Sequence, residues 1–209
     1  AFIFNIYSYL GYGGFEEQAL ASLTDEAMFT HAGRNINTFT EGSETPGNLG
    51  WQSPTYEWGR MYLAIRQANV AIENLPKATF DNQPLKDQLL GEAHFMRAYY
   101  YHQLLRFYGG VPLISKSYGL NEDYTIARNT YDECVKFIIA DLDKAAQLLD
   151  GKKMNDGRAS KLAAMALKSR MLLYAASDLH DVNALRAAAP AIGGSQNVNL
   201  VAYTSGDRA

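Results

Sequence analysis

Apolar residues recur along most of this chain at steps of three and four, the spacing of one helix face. No stretch of comparable length alternates with the period of two that a half-buried strand requires. The first run extends from Ala1 to about Tyr12 and stops at Gly11, Gly13 and Gly14, and Glu16 to Ala27 is long enough for a short second helix. From Pro54 to Leu75 the stripe is Trp58, Tyr62, Ile65, Asn69 and Ile72. Ser53 is placed to cap that helix, Pro54 suits its first position because the missing N–H would be unpaired there anyway, and Pro76 ends it. Leu85 to Tyr108 carries Leu85, Leu89, Ala93, Met96, Tyr100, Leu104 and Phe107 or Tyr108. Gly109 and Gly110 then supply a cap with positive φ, and Pro112 blocks continuation. Tyr131 to Leu149 opens on a capping box, Thr130 with Glu133, and repeats Tyr131, Val135, Ile138, Leu142, Ala145 and Leu149. Ser160 to Ser177 carries Leu162, Ala163, Ala166, Leu167, Leu173 and Tyr174, its alanines spaced to let a neighbour approach.

These runs predict an all-α fold of five main helices in antiparallel pairs, residues 54–108 forming one pair and 131–177 another. The arrangement is tetratricopeptide-like in architecture only. Each pair is longer than the roughly 34-residue repeat, and the consensus tryptophan, glycine and proline spacing is missing. Two stretches break the rhythm. After Ser177 there is little periodicity. From His31 to Ser53 the chain turns polar and rich in Gly, Asn and Thr, with Pro46, Gly47 and Gly50 as breakers. A loop of that length inside a compact domain is functional or disordered. Residues 31–53 are therefore the candidate ligand loop of a single domain spanning residues 1–209.

Composition narrows the classes. A chain of 209 residues buries roughly 70% of its extended surface on folding, so its core needs no staples. The single cysteine, Cys134, excludes an intramolecular disulfide and reads as a small buried hydrophobe. A net charge of −3 without a basic run argues against nucleic acid, whose phosphates demand clustered Lys and Arg. No stretch of 18 apolar residues stands ready to cross a membrane. Residues 1–10 lack a basic leader and read as a helix already inside a fold, so the sequence is expected to be part of something longer. Fourteen tyrosines against two tryptophans supply flat rings with polar tips, suited to sugar or peptide surfaces and to wet helix packing.

The loop holds the candidate ligand residues. Trp51 offers a flat face to the C–H side of a sugar ring, and Arg34, Asn35 and Asn48 offer planar donors and acceptors to hydroxyls. The competing reading has Trp51 plugging the loop onto the helices. Trp58 and Tyr62 read as core, and one or two of Tyr99, Tyr100 and Tyr101 must be exposed or at an interface, since neighbours on a helix cannot all face inward. Glu92 and Arg97 read as structural ion pairs with neighbouring helices. Nothing points to catalysis. Glu16-Glu17, Asp25-Glu26 and Glu122-Asp123 are adjacent carboxylates, whereas a glycosidase needs two held about 5 to 9 Å apart across a cleft. His94 and His102 have no third ligand at usable spacing, and Asp178, His180 and Asp181 read as a solvated helix end. The expectation is a non-enzyme without metal or cofactor.

Four segments carry a family likeness. They are Trp58-Gly-Arg-Met-Tyr62 through Ala68-Asn69 to Leu75-Pro76, and Gly91-Glu92-Ala93-His94-Phe95-Met96-Arg97-Ala98 through Tyr108-Gly109-Gly110-Val111-Pro112-Leu113. The third is Thr130-Tyr131-Asp132 with Ile139 to Ala146 and Leu149, and the fourth is Gly157-Arg158-Ala159-Ser160 with Ala163 to Ser177. In this order and spacing they resemble the amino-terminal part of the RagB/SusD family. The resemblance implies an outer-membrane lipoprotein that captures oligosaccharide, or sometimes peptide, and feeds a SusC-like TonB-dependent transporter. It also implies a lipid anchor on a cysteine that this sequence lacks, and a carboxyl-terminal portion that contributes to the ligand surface. Without the resemblance the pattern reaches only a helical-repeat scaffold that binds peptide or a protein partner.

Overall fold

The computed structural model describes residues 2–10, 19–22, 24–28, 30, 40–43, 45, 54–119, 121–123 and 125–177, with main chain alone at 19, 20 and 54–57. Among the described residues the α-helices are α1 Phe2–Tyr7, α2 Ala19–Ser22, α3 Pro54–Asn74, α4 Gln83–Tyr108, α5 Tyr131–Leu148 and α6 Lys161–Ala175. Helix takes up 63% of them, about twice the share of an average globular domain. The expected all-α class is what the chain adopts. The long helices begin where the sequence supplies a side-chain acceptor. Asn82 accepts from Leu85 N–H at 3.0 Å, Thr130 and Glu133 form the reciprocal capping box, and Ser160 accepts from Ala163 N–H at 3.2 Å. The first helix is shorter than its apolar run, because Ser8 and Tyr9 already form a turn.

Contacts across the helices fix their directions. Between α3 and α4, Trp58 meets Tyr108 and Asn69 meets Arg97. Between α4 and α5, Arg97 meets Asp141 and Tyr101 meets Phe137. Between α5 and α6, Asp143 meets Lys168, while Asp150 just beyond α5 meets Lys161. In each pair one number rises as the other falls, so neighbours are antiparallel. The expected pairs are joined through a third interface of the same kind, α4 against α5. Helix α4 is thus central, touching α1, α3, α5 and α6.

That position explains the buried surface of α4. Glu92, Ala93, Met96, Arg97, Tyr100, Tyr101, His102 and Leu104 are all buried, far more than one stripe provides. Tyr100 and Tyr101 are both fully buried and Tyr99 is half-buried, so a run that a one-sided helix would leave partly outside is enclosed by neighbours on several sides. The ends of the expected stripe, Leu85 and Phe107, are exposed. Helix α6 departs further. Its buried side is Ala164, Leu167, Met171 and Ala175, whereas Leu162, Ala166, Leu173 and Tyr174 face out.

The α4–α5 connection depends on two glycines. Gly109 caps α4 at φ +66° and ψ −141°, a conformation that side chains disfavour. A Cβ at Gly110 would lie 2.2 Å from the Asn129 carbonyl oxygen, and one at Gly91 would lie 2.8 Å from Leu149 Cγ. Main chain at residue 129 cannot yield as a leucine side chain can. Gly110→Ala is therefore expected to cost at least about 1–3 kcal/mol in urea unfolding, and Gly91→Ala less.

A second prediction concerns His102, which lies fully buried between α4 and α6 with its Nδ1 3.4 Å from Met171 Sδ and its Nε2 without a partner. Burial, helped by the positive charges of Arg106 and Arg170, pushes its pKa down to about 4. Between that value and the ordinary 6.5 the unfolded chain takes up a proton that the folded chain refuses. Stability is then complete above pH 6.5 and falls on acidification through the window down to 4, by about 3 kcal/mol. Thermal melting from pH 7 to 4.5 should show the loss, and His102→Leu should flatten the profile over that range.

Candidate functional site

Residues Val111 to Ser117 leave the Gly109-Gly110 cap and run as an extended strap over the helices. The strap is held through its main chain. Tyr62 donates to the Pro112 carbonyl at 2.8 Å, and Leu113 N–H donates to Asn129 Oδ1 at 2.9 Å. Tyr101 Oη accepts from Ile114 N–H at 2.6 Å and donates to the Ile114 carbonyl at 3.1 Å. Asn69 Nδ2 donates to the carbonyls of Ile114 at 2.8 Å and Lys116 at 3.1 Å, and Arg97 reaches Ser115 at 3.4 Å. Ser117 donates twice to Glu73, from N–H at 2.7 Å and from Oγ at 2.5 Å. Val111 is held by the Cys134 sulfur. Every residue of the strap thus has a backbone group bonded to a side chain.

Beneath the strap lies a buried ionic cluster. Arg97 engages Asp141 with two bonds of 2.7 Å and donates to Asn69 Oδ1 at 2.8 Å, and His94 Nδ1 lies 2.7 Å from Asp141. Burial alone would raise the Asp141 carboxyl, but the hydrogen bonds from Arg97 and His94 outweigh it and hold the group below its ordinary value. A second buried carboxylate, Glu92, accepts from Tyr7 at 3.2 Å, Gln88 at 3.0 Å and Arg158, joining α1 and α4 to the turn before α6. Both ion pairs expected of Arg97 and Glu92 are present: that of Arg97 ties α4 to α5, whereas that of Glu92 reaches the turn before α6 and not a neighbouring helix. His94 and His102 serve different interfaces. Glu122 turns to Lys116 at 2.6 Å while Asp123 accepts from Thr125 N–H at 2.8 Å, so that carboxylate pair is divided between separate partners.

The antiparallel order brings the start of α3, the end of α4, the start of α5 and the end of α6 to one end of the bundle. Pro54, which follows the candidate loop 31–53 in the sequence, starts α3 at this end. An aromatic ladder stiffens this end: Tyr108 meets Trp58 edge-on at 5.0 Å, Trp58 meets Tyr62 at 5.0 Å, and Tyr62 meets Tyr101 at 6.3 Å. Trp58 and Tyr62 are half-buried and pack on the core, as the sequence suggested. Arg128 closes the end by donating to the carbonyls of Gly110, at 2.7 Å, and Tyr108. The candidate ligand residues Arg34, Asn35, Asn48 and Trp51 lie outside the described residues. Of the loop itself, Thr40 to Ser43 and Thr45 are described, and all are exposed.

Sequence reasoning missed the strap altogether. Its signal was Asn69, an amide within an otherwise apolar stripe, whose Nδ2 donates to carbonyls while its Oδ1 accepts from a guanidinium. Arg97→Met is expected to leave Asp141 buried without its partner and to cost about 3–5 kcal/mol in chemical denaturation. Adding Asp141→Leu should recover part of that loss. In both variants amide exchange should quicken across residues 111–117.

Comparison with known proteins agrees with the residues just described. A family model for SusD-like proteins, described as starch-binding and associating with the outer membrane, matches residues 2–173. SusD-like protein P38 of Formosa agariphila is 32% identical over 130 residues, 61% of this chain and 25% of its own length. A SusD-like protein of Bacteroides fragilis aligns in structure with a TM-score of 0.68 at 26% identity, over 91% of this chain and 36% of its own. A laminarin-binding SusD-like protein aligns with a TM-score of 0.58 at 25% identity, over 67% of this chain and 30% of its own. The chain thus spans about a quarter to a third of the length of the proteins it matches. Over that span its fold, its buried polar residues and its sequence agree on one assignment: the chain belongs to the RagB/SusD family and matches its amino-terminal portion.

Proposed function

We propose that this polypeptide captures oligosaccharide at the cell surface without cleaving it, and passes it to a SusC-like TonB-dependent transporter in the outer membrane. The observation that carries this reading is the family match over residues 2–173, with its starch-binding description. The laminarin-binding relative supports the ligand class. The geometry bears on location. Residues 111–117 already engage Tyr62, Asn69, Tyr101 and Asn129, so those side chains are not free to hold an extended peptide, which counts against a peptide scaffold. Ligand contact then falls to the loop end of the bundle. Trp51 stands three residues before Pro54 in the sequence, and Pro54 starts α3 at that end. On this reading Trp51 stacks on a sugar ring, Arg34, Asn35 and Asn48 bond its hydroxyls, and no cofactor takes part.

Calorimetry of the full-length protein against a panel of oligosaccharides, with an assay for new reducing ends, tests the class. Binding without hydrolysis is the expected result. Trp51→Ala is expected to weaken binding by about 1–3 kcal/mol, the worth of one aromatic stacking contact, with little change in melting temperature. If Trp51 is a structural plug, the same variant instead loses about 3–5 kcal/mol of stability and keeps its affinity.

A further inference from the structure

The connection between α5 and α6 holds both Asp-Gly pairs of the sequence, Asp150-Gly151 and Asp156-Gly157. An Asp-Gly pair reacts with itself. The glycine nitrogen attacks the aspartate side-chain carbonyl carbon, and water leaves as a succinimide ring closes. Water then adds back at either ring carbonyl. Opening at the main-chain carbonyl leaves an isoaspartate, with the chain now running through the aspartate Cβ and no net change in composition. Glycine favours the reaction because it has no side chain to shield the nitrogen and moves freely into the ring geometry.

The two pairs differ in what holds them. Both glycines have positive φ and open surroundings. Asp150 accepts from Lys161 at 2.7 Å. That bond, with the charge of Lys161 and the N–H of Gly151, holds the Asp150 carboxyl below its ordinary value. Ring closure expels water and so draws on the neutral acid, which Lys161 disfavours. Asp156 is exposed and makes no hydrogen bond or ion pair among the described residues, and the N–H of Gly157 has no acceptor there either.

We propose that Asp156 is a site of spontaneous isomerisation, and that the reaction loosens the clasp formed by the residues that follow it. Arg158 N–H closes the turn on the Asn155 carbonyl at 3.2 Å, and its guanidinium holds the buried Glu92 carboxylate. Ala159 N–H donates to Tyr7 Oη at 3.0 Å, and Arg158 lies 4.8 Å from the Phe4 ring centre. An extra carbon in the main chain between Asn155 and Arg158 enlarges that turn and shifts both anchors of α1. Gly157 sits at φ +79°, where another residue is strained, so the turn requires the residue that makes its neighbour reactive.

The test ages the full-length polypeptide at neutral pH and locates isoaspartate by fragmentation mass spectrometry of a digest. The expected result is isoaspartate forming at position 156 at least about twofold faster than at 150, the margin an exposed ion pair supplies. In the modified fraction, amide exchange should quicken across α1, residues Phe2–Tyr7. Asp156→Glu keeps the charge but closes a larger, slower ring, so this variant should age without either change. Equal or faster formation at 150 overturns the assignment of the site. Isoaspartate at 156 with exchange across α1 unchanged overturns the loosening of the clasp.

Discussion

Asp141 is the group on which the arrangement of this chain turns. A carboxylate inside a bundle is tolerated when it keeps its charge, and it keeps its charge here because Arg97 meets it with a two-pronged bond and His94 adds a third contact. Arg97 in turn has donors left over, which Asn69 and the Ser115 carbonyl accept. Asn69 then spends its amide protons on the strap. Three helices and a loop are therefore fixed by one chain of bonds, each satisfied by the next. Removing any member leaves a buried polar group unpaired, so the cluster constrains geometry more than it adds net stability.

Much of this could be read from the residues in order. The caps at Thr130 and Ser160, the Gly-Gly stop after Tyr108 and the polar atoms at Asn69, Glu92 and Arg97 each have a local physical reason, and the helices began and ended within a few residues of the signals. What periodicity could not give was the number of neighbours. For α4 it suggested one buried face, and the fold surrounds the helix. For α6 it read Leu162, Ala166, Leu167 and Leu173 together, although apolar residues on opposite sides of a helix cannot be told apart by counting alone and of these four Leu167 alone is buried.

The residues that carry the family likeness turn out to be the framework. Tyr62, Asn69, Glu92, Arg97, Tyr101, Asp141 and Arg158 all sit in the quoted segments, and all hold helices, strap or turns. A motif of this kind identifies a fold with confidence and says little about a ligand. The candidate site was legible only as a break in the pattern, a long polar stretch with one tryptophan, because a surface that meets solvent in the free state has no periodicity to impose. Trp51, Arg34, Asn35 and Asn48 were chosen by chemical type and position in that break.

The strap has a consequence for how such a protein would hold a sugar. The hydrogen-bonding side chains that face residues 111–117, Tyr62, Asn69, Tyr101 and Asn129, are already taken up by that strap and are not free for a ligand. What the bundle offers instead is an end stiffened by stacked rings and by Arg128 across the last carbonyls of α4. Contacts mounted on such an end need no movement of the scaffold, which keeps the ordering cost of binding low.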